Sequence, residues 1–298
     1  MATIQWYPGH MTKTKRMLAS QMGLVDVVVE ILDARVPLAS RNPDIDSLAK
    51  GKKRILVLNK ADLSNPVVTA KWEEHFRGMG FFTLPLSAKE NDKKKSGVAK
   101  FYELLKVIMK ERAAAQAKRG RINVSTRAMI VGIPNVGKST FINLLSGRAS
   151  TATADRPGVT RGRQWIKVDH IDMLDTPGVL WPKFEDQEVG LKLAITGAVS
   201  DNVVDLVALA ESFIQMLTVV DQNALERRYK ITIDKCETPE DRRQILTDIG
   251  ESRGFKMKGG IIDTERAAII LLDEFRAGKL GKISLEEPKC QKHTKNQA

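Results

Sequence analysis

Residues 56–63, LVLNKADL, and residues 132–139, GIPNVGKS, decide the fold between them. Each begins as an apolar run and breaks into polar residues, as a buried strand does where it delivers a loop at its carboxyl end. The second fits the pattern GxxxxGK[ST], with RAMIV before it and the amphipathic stretch STFINLLSG after it. Strand, glycine loop and helix in that order form a cradle for a phosphate chain. The glycines let backbone N–H groups turn inward, and the helix presents its positive end to the anion. In such a cradle Asn135, Val136, Gly137, Lys138, Ser139 and Thr140 lie on the phosphate side. Lys138 would bridge the β- and γ-phosphates, and the Ser139 hydroxyl would ligate Mg²⁺.

The earlier stretch reads a base. The Asp62 carboxylate can accept from guanine N1–H and N2–H₂ together. Adenine offers neither, and would leave that carboxylate desolvated and unpaired. Asn59 can bond the N7 side and brace the loop, and Lys60 can lie over the ring. Ser87-Ala88-Lys89 ends a further apolar run and can offer backbone N–H to guanine O6. Downstream, Asp175-Thr176-Pro177-Gly178 follows the strand-like IDML. Asp175 would hold Mg²⁺ through its water, and the Gly178 N–H can approach the γ-phosphate. Between the two lies DRPGVTRG, where Thr160 is the preferred switch threonine over Mg²⁺, in competition with Thr151 and Thr153. The set predicts GTP and GDP, with Mg²⁺, rather than ATP.

The order is unusual, because the base reader precedes the phosphate cradle. In a doubly wound parallel sheet the ligand sits at the carboxyl ends of strands, so loop position in space matters and order along the chain does not. A circular permutation preserves the site when the old termini lie close together. The helical stretch 97–117 and the basic linker 117–126 would supply the join. The Asp175–Gly178 segment then leads within a few residues into the C-terminal third of the chain.

Strand-like runs at 25–35 (VDVVVEILDAR), KRILVLN, FFTLPL, RQWIKVD and IDML alternate with helical patterns at 10–22, 66–78 and 97–117. That alternation predicts an α/β fold with a mostly parallel sheet. After about Trp181 the patterns are helical throughout, and Thr238 with Pro239 reads as a helix start. The expected organisation is a permuted GTPase domain over 1–182, a smaller all-helical RNA-binding domain over 183–284, and a flexible basic tail over 285–298.

The chain has 298 residues, 42% hydrophobic, enough for a sizeable core. Its longest apolar runs fall short of a membrane span, and the N-terminus lacks the apolar core of a secretory signal. The two cysteines, Cys236 and Cys290, lack the spacing of a zinc site or a disulfide framework and fit a reducing cytosol. The expected location is therefore cytoplasmic, with no membrane contact. A net charge of +12 favours polyanionic partners. Aromatic residues make up only 5%, so base-stacking platforms are not prominent. Basic groups recur at Lys13, Lys15 and Arg16, at Lys93–Lys95, at Lys118, Arg119 and Arg121, and from Arg276 to Lys292. The loop GFKMKGG and the end EFRAGKLG are the preferred RNA contacts in the helical part.

The order NKAD, SAK, GIPNVGKS, PGVT, DTPG, with WYPGHM at the start and GAVSDNVVD in the helical part, resembles the circularly permuted GTPases, in particular the YlqF-type family of bacterial ribosome biogenesis. That resemblance runs from about Trp6 to Gly281. It implies a late assembly factor that binds rRNA on the precursor of the large ribosomal subunit, with hydrolysis stimulated by the particle, and a monomer away from it. Val179 stands where many GTPases place a water-orienting glutamine, and valine cannot hydrogen-bond water. The resemblance assigns the catalytic role to His10 of the PGH motif; contact with RNA, or capping of the basic helix, is the alternative. Asn135 resembles the asparagine of potassium-activated GTPases, which implies K⁺ beside the phosphates. Asp33 and Arg35, in DARVPLASRNP, either shape the site or bond one another. Two rival readings are a nucleotide-gated rRNA placeholder with incidental hydrolysis and a signalling GTPase with a protein partner.

Overall fold

The computed structural model describes residues 10–87, 97–118, 120, 125–147, 164–178, 180 and 186–289, leaving aside the side chains of 10–13 and 164. The runs expected as strands form one six-stranded sheet: β1 (Val27–Asp33), β2 (Lys53–Asn59), β3 (Phe82–Leu86), β4 (Thr126–Val131), β5 (Gln164–Val168) and β6 (Ile171–Asp175). Their order is β3-β2-β1-β4-β6-β5. All neighbours are parallel except β5 and β6, which form an antiparallel pair. The chain steps outward from β1 through β2 to β3 and then returns to the free flank of β1 with β4. That return creates the switch point at which a doubly wound sheet binds its ligand. Register aligns the carboxyl ends, pairing Asp33 with Asn59, Asn59 with Leu86, and Ile130 with Asp175.

Every residue of β1 is buried, so alternate side chains must enter two different cores. Val28 packs with Leu18, Met22 and Ile45 of α1 (His10–Met22) and α2 (Pro43–Leu48), over Met129, Val131 and Leu174. Leu32 joins Leu56 and Leu58 under Trp72 and Phe76 of α3 (Pro66–Gly78). Val27, Val29 and Ile31 face the other way, toward α4 (Val98–Ala117) and α5 (Lys138–Ser146). There Phe101 and Phe141 meet edge-on with ring centroids 5.3 Å apart.

Among the described residues five further α-helices complete the chain: α6 (Gln187–Ile195), α7 (Leu206–Val220), α8 (Ala224–Tyr229), α9 (Pro239–Ser252) and α10 (Thr264–Arg276). Side-chain caps start most of them. Asp186, Asp205 and Asp263 each accept from first-turn N–H groups. Thr238 and Asp241 form a reciprocal capping box with Pro239 at the first position. Phe213 of α7 and Phe275 of α10 pack with centroids 4.7 Å apart. Buried Glu274 gathers Arg228 and Arg253 across three helices. The apolar cluster of this bundle is continuous with the α4/α5 face of the sheet. The helical stretches expected at 10–22, 66–78 and 97–117 coincide with α1, α3 and α4 to within a residue. Helices α2 and α8, six residues each, are too short for an apolar period to reveal.

Beyond α10 the chain runs back over the sheet as a strap. Ile283 N–H donates to the Leu63 carbonyl and Leu285 N–H to that of Arg35, both in loops after β2 and β1. Gly278 meets Leu63 so closely that a Cβ would lie 2.6 Å from its Cδ2. The tail expected to be flexible from 285 is thus held through Glu286. That carboxylate accepts from the N–H groups of Leu38 and Ala39 and faces Lys192 at 3.5 Å, and its carbonyl accepts from Trp72 Nε1. Burial raises the Glu286 pKa against the pull of Lys192. Residues 290–298, Cys290 among them, lie outside the described residues. Glu286→Ala leaves the buried Ala39 N–H unpaired, so it is expected to cost about 1–3 kcal/mol of stability in urea denaturation. It should also open the strap to protease.

Candidate nucleotide site

Five strand-end segments meet at one edge of the sheet: Asp33–Arg35 after β1, Asn59–Asp62 after β2, Ser87 after β3, Gly132–Ser139 after β4 and Asp175–Gly178 after β6. Backbone bonds knit them together. Ala34 N–H donates to the Asn59 carbonyl at 2.8 Å, and Ala61 N–H to the Leu86 carbonyl at 3.1 Å. The contact that joins the loop after β2 to the phosphate loop is Asn59 Nδ2 donating to the Val136 carbonyl at 2.6 Å. It fixes the residue beneath it. Gly137 has φ +97°, and a Cβ there would lie 2.3 Å from Asn59 Nδ2. Only glycine meets both conditions. Asn59 therefore braces the loop, one of its two expected duties.

The phosphate loop runs into α5 through Gly137, so backbone N–H groups open toward the space above β4. Lys138 is buried, and its ammonium donates to the carbonyls of Gly132 and Ile133 at 3.1 and 2.8 Å. Burial lowers its pKa to about 8, against the opposing pull of Asp175. Asp175 ends β6 almost completely buried, and burial raises its pKa while Lys138 pulls it down. Its Oδ1 has no hydrogen-bond partner among the described residues. A buried, unpaired carboxylate oxygen beside a phosphate cradle fits a divalent cation and its water, and Ser139 stands half-buried at the head of α5. Mg²⁺ would be held by this pair.

The Asp175–Gly178 segment is pressed against the cradle. Thr176 Oγ1 donates to the Ile130 carbonyl at 2.7 Å. A Cβ on Gly178 would lie 2.7 Å from the Pro134 nitrogen, so glycine here permits contact with the phosphate loop itself. Asp62 is exposed, and Ser87 is buried at the end of β3. Lys60 takes a left-handed backbone, φ +59°, and its ammonium reaches Asp33 at 2.9 Å. Asn135 Nδ2 donates to the Gly197 carbonyl just after α6, linking the phosphate loop to the helical part. Sequence reasoning did not anticipate the partners of Thr176, Asn135 and Lys60, which lie 46, 62 and 27 residues away. The expectations for His10, as a side chain, and for Ala88, Thr160 and Val179 fall outside the described residues. Arg276, expected at an RNA contact, is held by the Ala194 and Ile195 carbonyls and by Asp201.

A mostly parallel sheet with the NKAD-bearing strand β2 upstream of the phosphate-loop strand β4, followed by a helical part, defines a circularly permuted P-loop GTPase. The 50S ribosome-binding GTPase family model matches residues 127–244, starting at the strand before the phosphate loop and omitting Asn59–Asp62 upstream. Ribosome biogenesis GTPase A of Bacillus cereus is 43% identical over 96% of this chain and 94% of that protein. Its counterpart in Thermotoga maritima is 31% identical over 96% and 95%. The crystal structure of GNP-bound YlqF from T. maritima matches with a TM-score of 0.64 at 28% identity, covering 94% of this chain and 100% of that one. The chain belongs to the ribosome biogenesis GTPase A family, the YlqF-type permuted GTPases.

The Lys138 pKa gives a pH dependence with a definite sign. A polyphosphate against this ammonium raises its pKa from about 8, so binding takes up a proton. GDP affinity is expected to hold below about pH 8 and to fall as pH rises above it. Calorimetry in buffers of different ionisation enthalpy should show net proton uptake above about pH 8.

Proposed function

We propose that this chain hydrolyses GTP as an assembly factor for the large ribosomal subunit, binding rRNA on the precursor particle and changing state upon hydrolysis. The observation that carries the reading is the convergence of base-reading and phosphate loops, joined by Asn59 on the Val136 carbonyl. Asp62 pairs with guanine N1–H and N2–H₂, Lys60 covers the ring, and backbone N–H groups at Ser87 and Ala88 pair with O6. The loop Asn135–Thr140 holds the phosphates, with Lys138 on the β- and γ-phosphates. Ser139, Asp175 and Thr160 would hold Mg²⁺, which would neutralise charge on the triphosphate. His10 orients the attacking water or accepts its proton. The relatives' names, and a family model described as 50S ribosome-binding, support the large subunit as partner. So does the net charge of +12, with exposed Lys256, Lys258, Lys279 and Lys282 on the helical part.

Hydrolysis measured with and without large-subunit precursor particles tests this. The particle is expected to raise turnover at least about tenfold, and His10→Ala to remove about 10²-fold from the stimulated rate. Unchanged turnover with particles would refute the coupling, and full stimulation in the variant would refute the role of His10. K⁺ at Asn135 rests on resemblance alone; it predicts faster turnover in KCl than in NaCl, and equal rates would remove it.

A further inference from the structure

The Asp33 carboxylate ends β1 at the centre of the sheet and is 2% exposed. Its Oδ1 accepts from Arg35 N–H and Nε at 3.1 and 2.9 Å, and its Oδ2 from Arg35 Nη2 and Lys60 Nζ at 2.8 and 2.9 Å. One carboxylate thus serves two cations. Burial opposes its charge, and the charges and hydrogen bonds of Arg35 and Lys60 outweigh burial, holding it well below the usual carboxylate range. Arg35 is itself 1% exposed and leaves none of its orientation to chance. Nη1 donates to the Phe275 carbonyl at 3.3 Å, the guanidinium lies 4.8 Å from the Phe275 ring centre, and the Arg35 carbonyl accepts from Leu285 N–H in the strap. The pair is rigid at its α10 end and opens at its Lys60 end, where the side chain is 22% exposed.

We propose that Asp33, aimed by Arg35, is a positioning residue that sets the Lys60 side chain for the guanine ring. The inference rests on the guanine site proposed above and deepens it. Lysine has a long stem with many rotamers, and a stem that must lie flat on a ring binds better when its far end is fixed beforehand. Asp33 provides that fixed end from a neighbouring strand. The left-handed backbone at Lys60 directs the residue toward it. A purely structural staple between strand ends would hold β1 to β2 equally well without affecting nucleotide affinity.

The test is a cycle in the full-length chain, measuring GDP and inorganic pyrophosphate binding by calorimetry for Asp33→Asn, Lys60→Ala and the double variant. Lys60→Ala should weaken GDP about tenfold, the worth of an apolar stem packed on the ring. Asp33→Asn should cost nearly as much, the double variant no more than Lys60→Ala alone, and pyrophosphate affinity should stay constant throughout. Should Asp33→Asn fail to fold, Arg35→Lys keeps the cation but loses the two-pronged grip. It should then weaken GDP several-fold, again without touching pyrophosphate. Unchanged GDP affinity in the folded Asp33 or Arg35 variant, or losses that multiply in the double variant, would overturn the proposal alone. Absence of GDP binding by the unsubstituted chain would overturn the site reading and the proposal with it.

Discussion

The hydrogen bond from Asn59 to the Val136 carbonyl is the contact on which the site depends. It closes the gap between β2 and β4, strands that are not neighbours in the sheet, because β1 lies between them. Spanning that gap requires the phosphate loop to bring bare backbone up to the amide, and Gly137 allows it. A pocket for a whole nucleotide needs its base end and its phosphate end at a fixed separation. Here one side chain and one missing Cβ set that separation, while backbone bonds at Ala34 and Ala61 keep the flanking loops in step.

A second constraint runs from the site into the helical part. Asn135 holds the Gly197 carbonyl, Arg35 holds the Phe275 carbonyl, and the strap threads Leu285 and Glu286 between the β1 loop and α3. These are polar bonds made across an apolar interface that already unites the two parts. Hydrophobic packing is non-directional, whereas a buried hydrogen bond or charge pair fixes distance and angle and costs its full desolvation when broken. The helical part is therefore held in register with the nucleotide loops and not merely stuck to them.

Much of this could be read from the chain. β1 announced itself through a β-branched apolar run interrupted only by Glu30, α9 through Thr238 and Pro239, and the site through glycine, lysine and aspartate at strand ends. These signals are local, so spacing carries them. What spacing could not carry was contact across the sheet. Nothing near Asn135 names Gly197, and nothing near Lys60 names Asp33. Glu286 sits in a polar, lysine-bearing run that looks solvated, and only the fold reveals that it caps a loop 247 residues upstream. For Asp33 and Arg35 the sequence left two roles standing. The structure shows the bond between them, and the same carboxylate also accepts from Lys60 in the loop after β2.

The strand order also bears on how the chain is made. Strand β1 leaves the ribosome first among the six, yet in the finished sheet it is an inner strand with β2 on one side and β4 on the other. During synthesis β1, β2 and β3 can pair as soon as they emerge, but the second flank of β1 stays bare until Thr126–Val131 has been produced. A fully buried strand with an open row of N–H and C=O groups invites pairing with the wrong partner. The nascent protein thus passes through a half-built sheet whose sticky edge is sealed only when the phosphate-loop strand arrives.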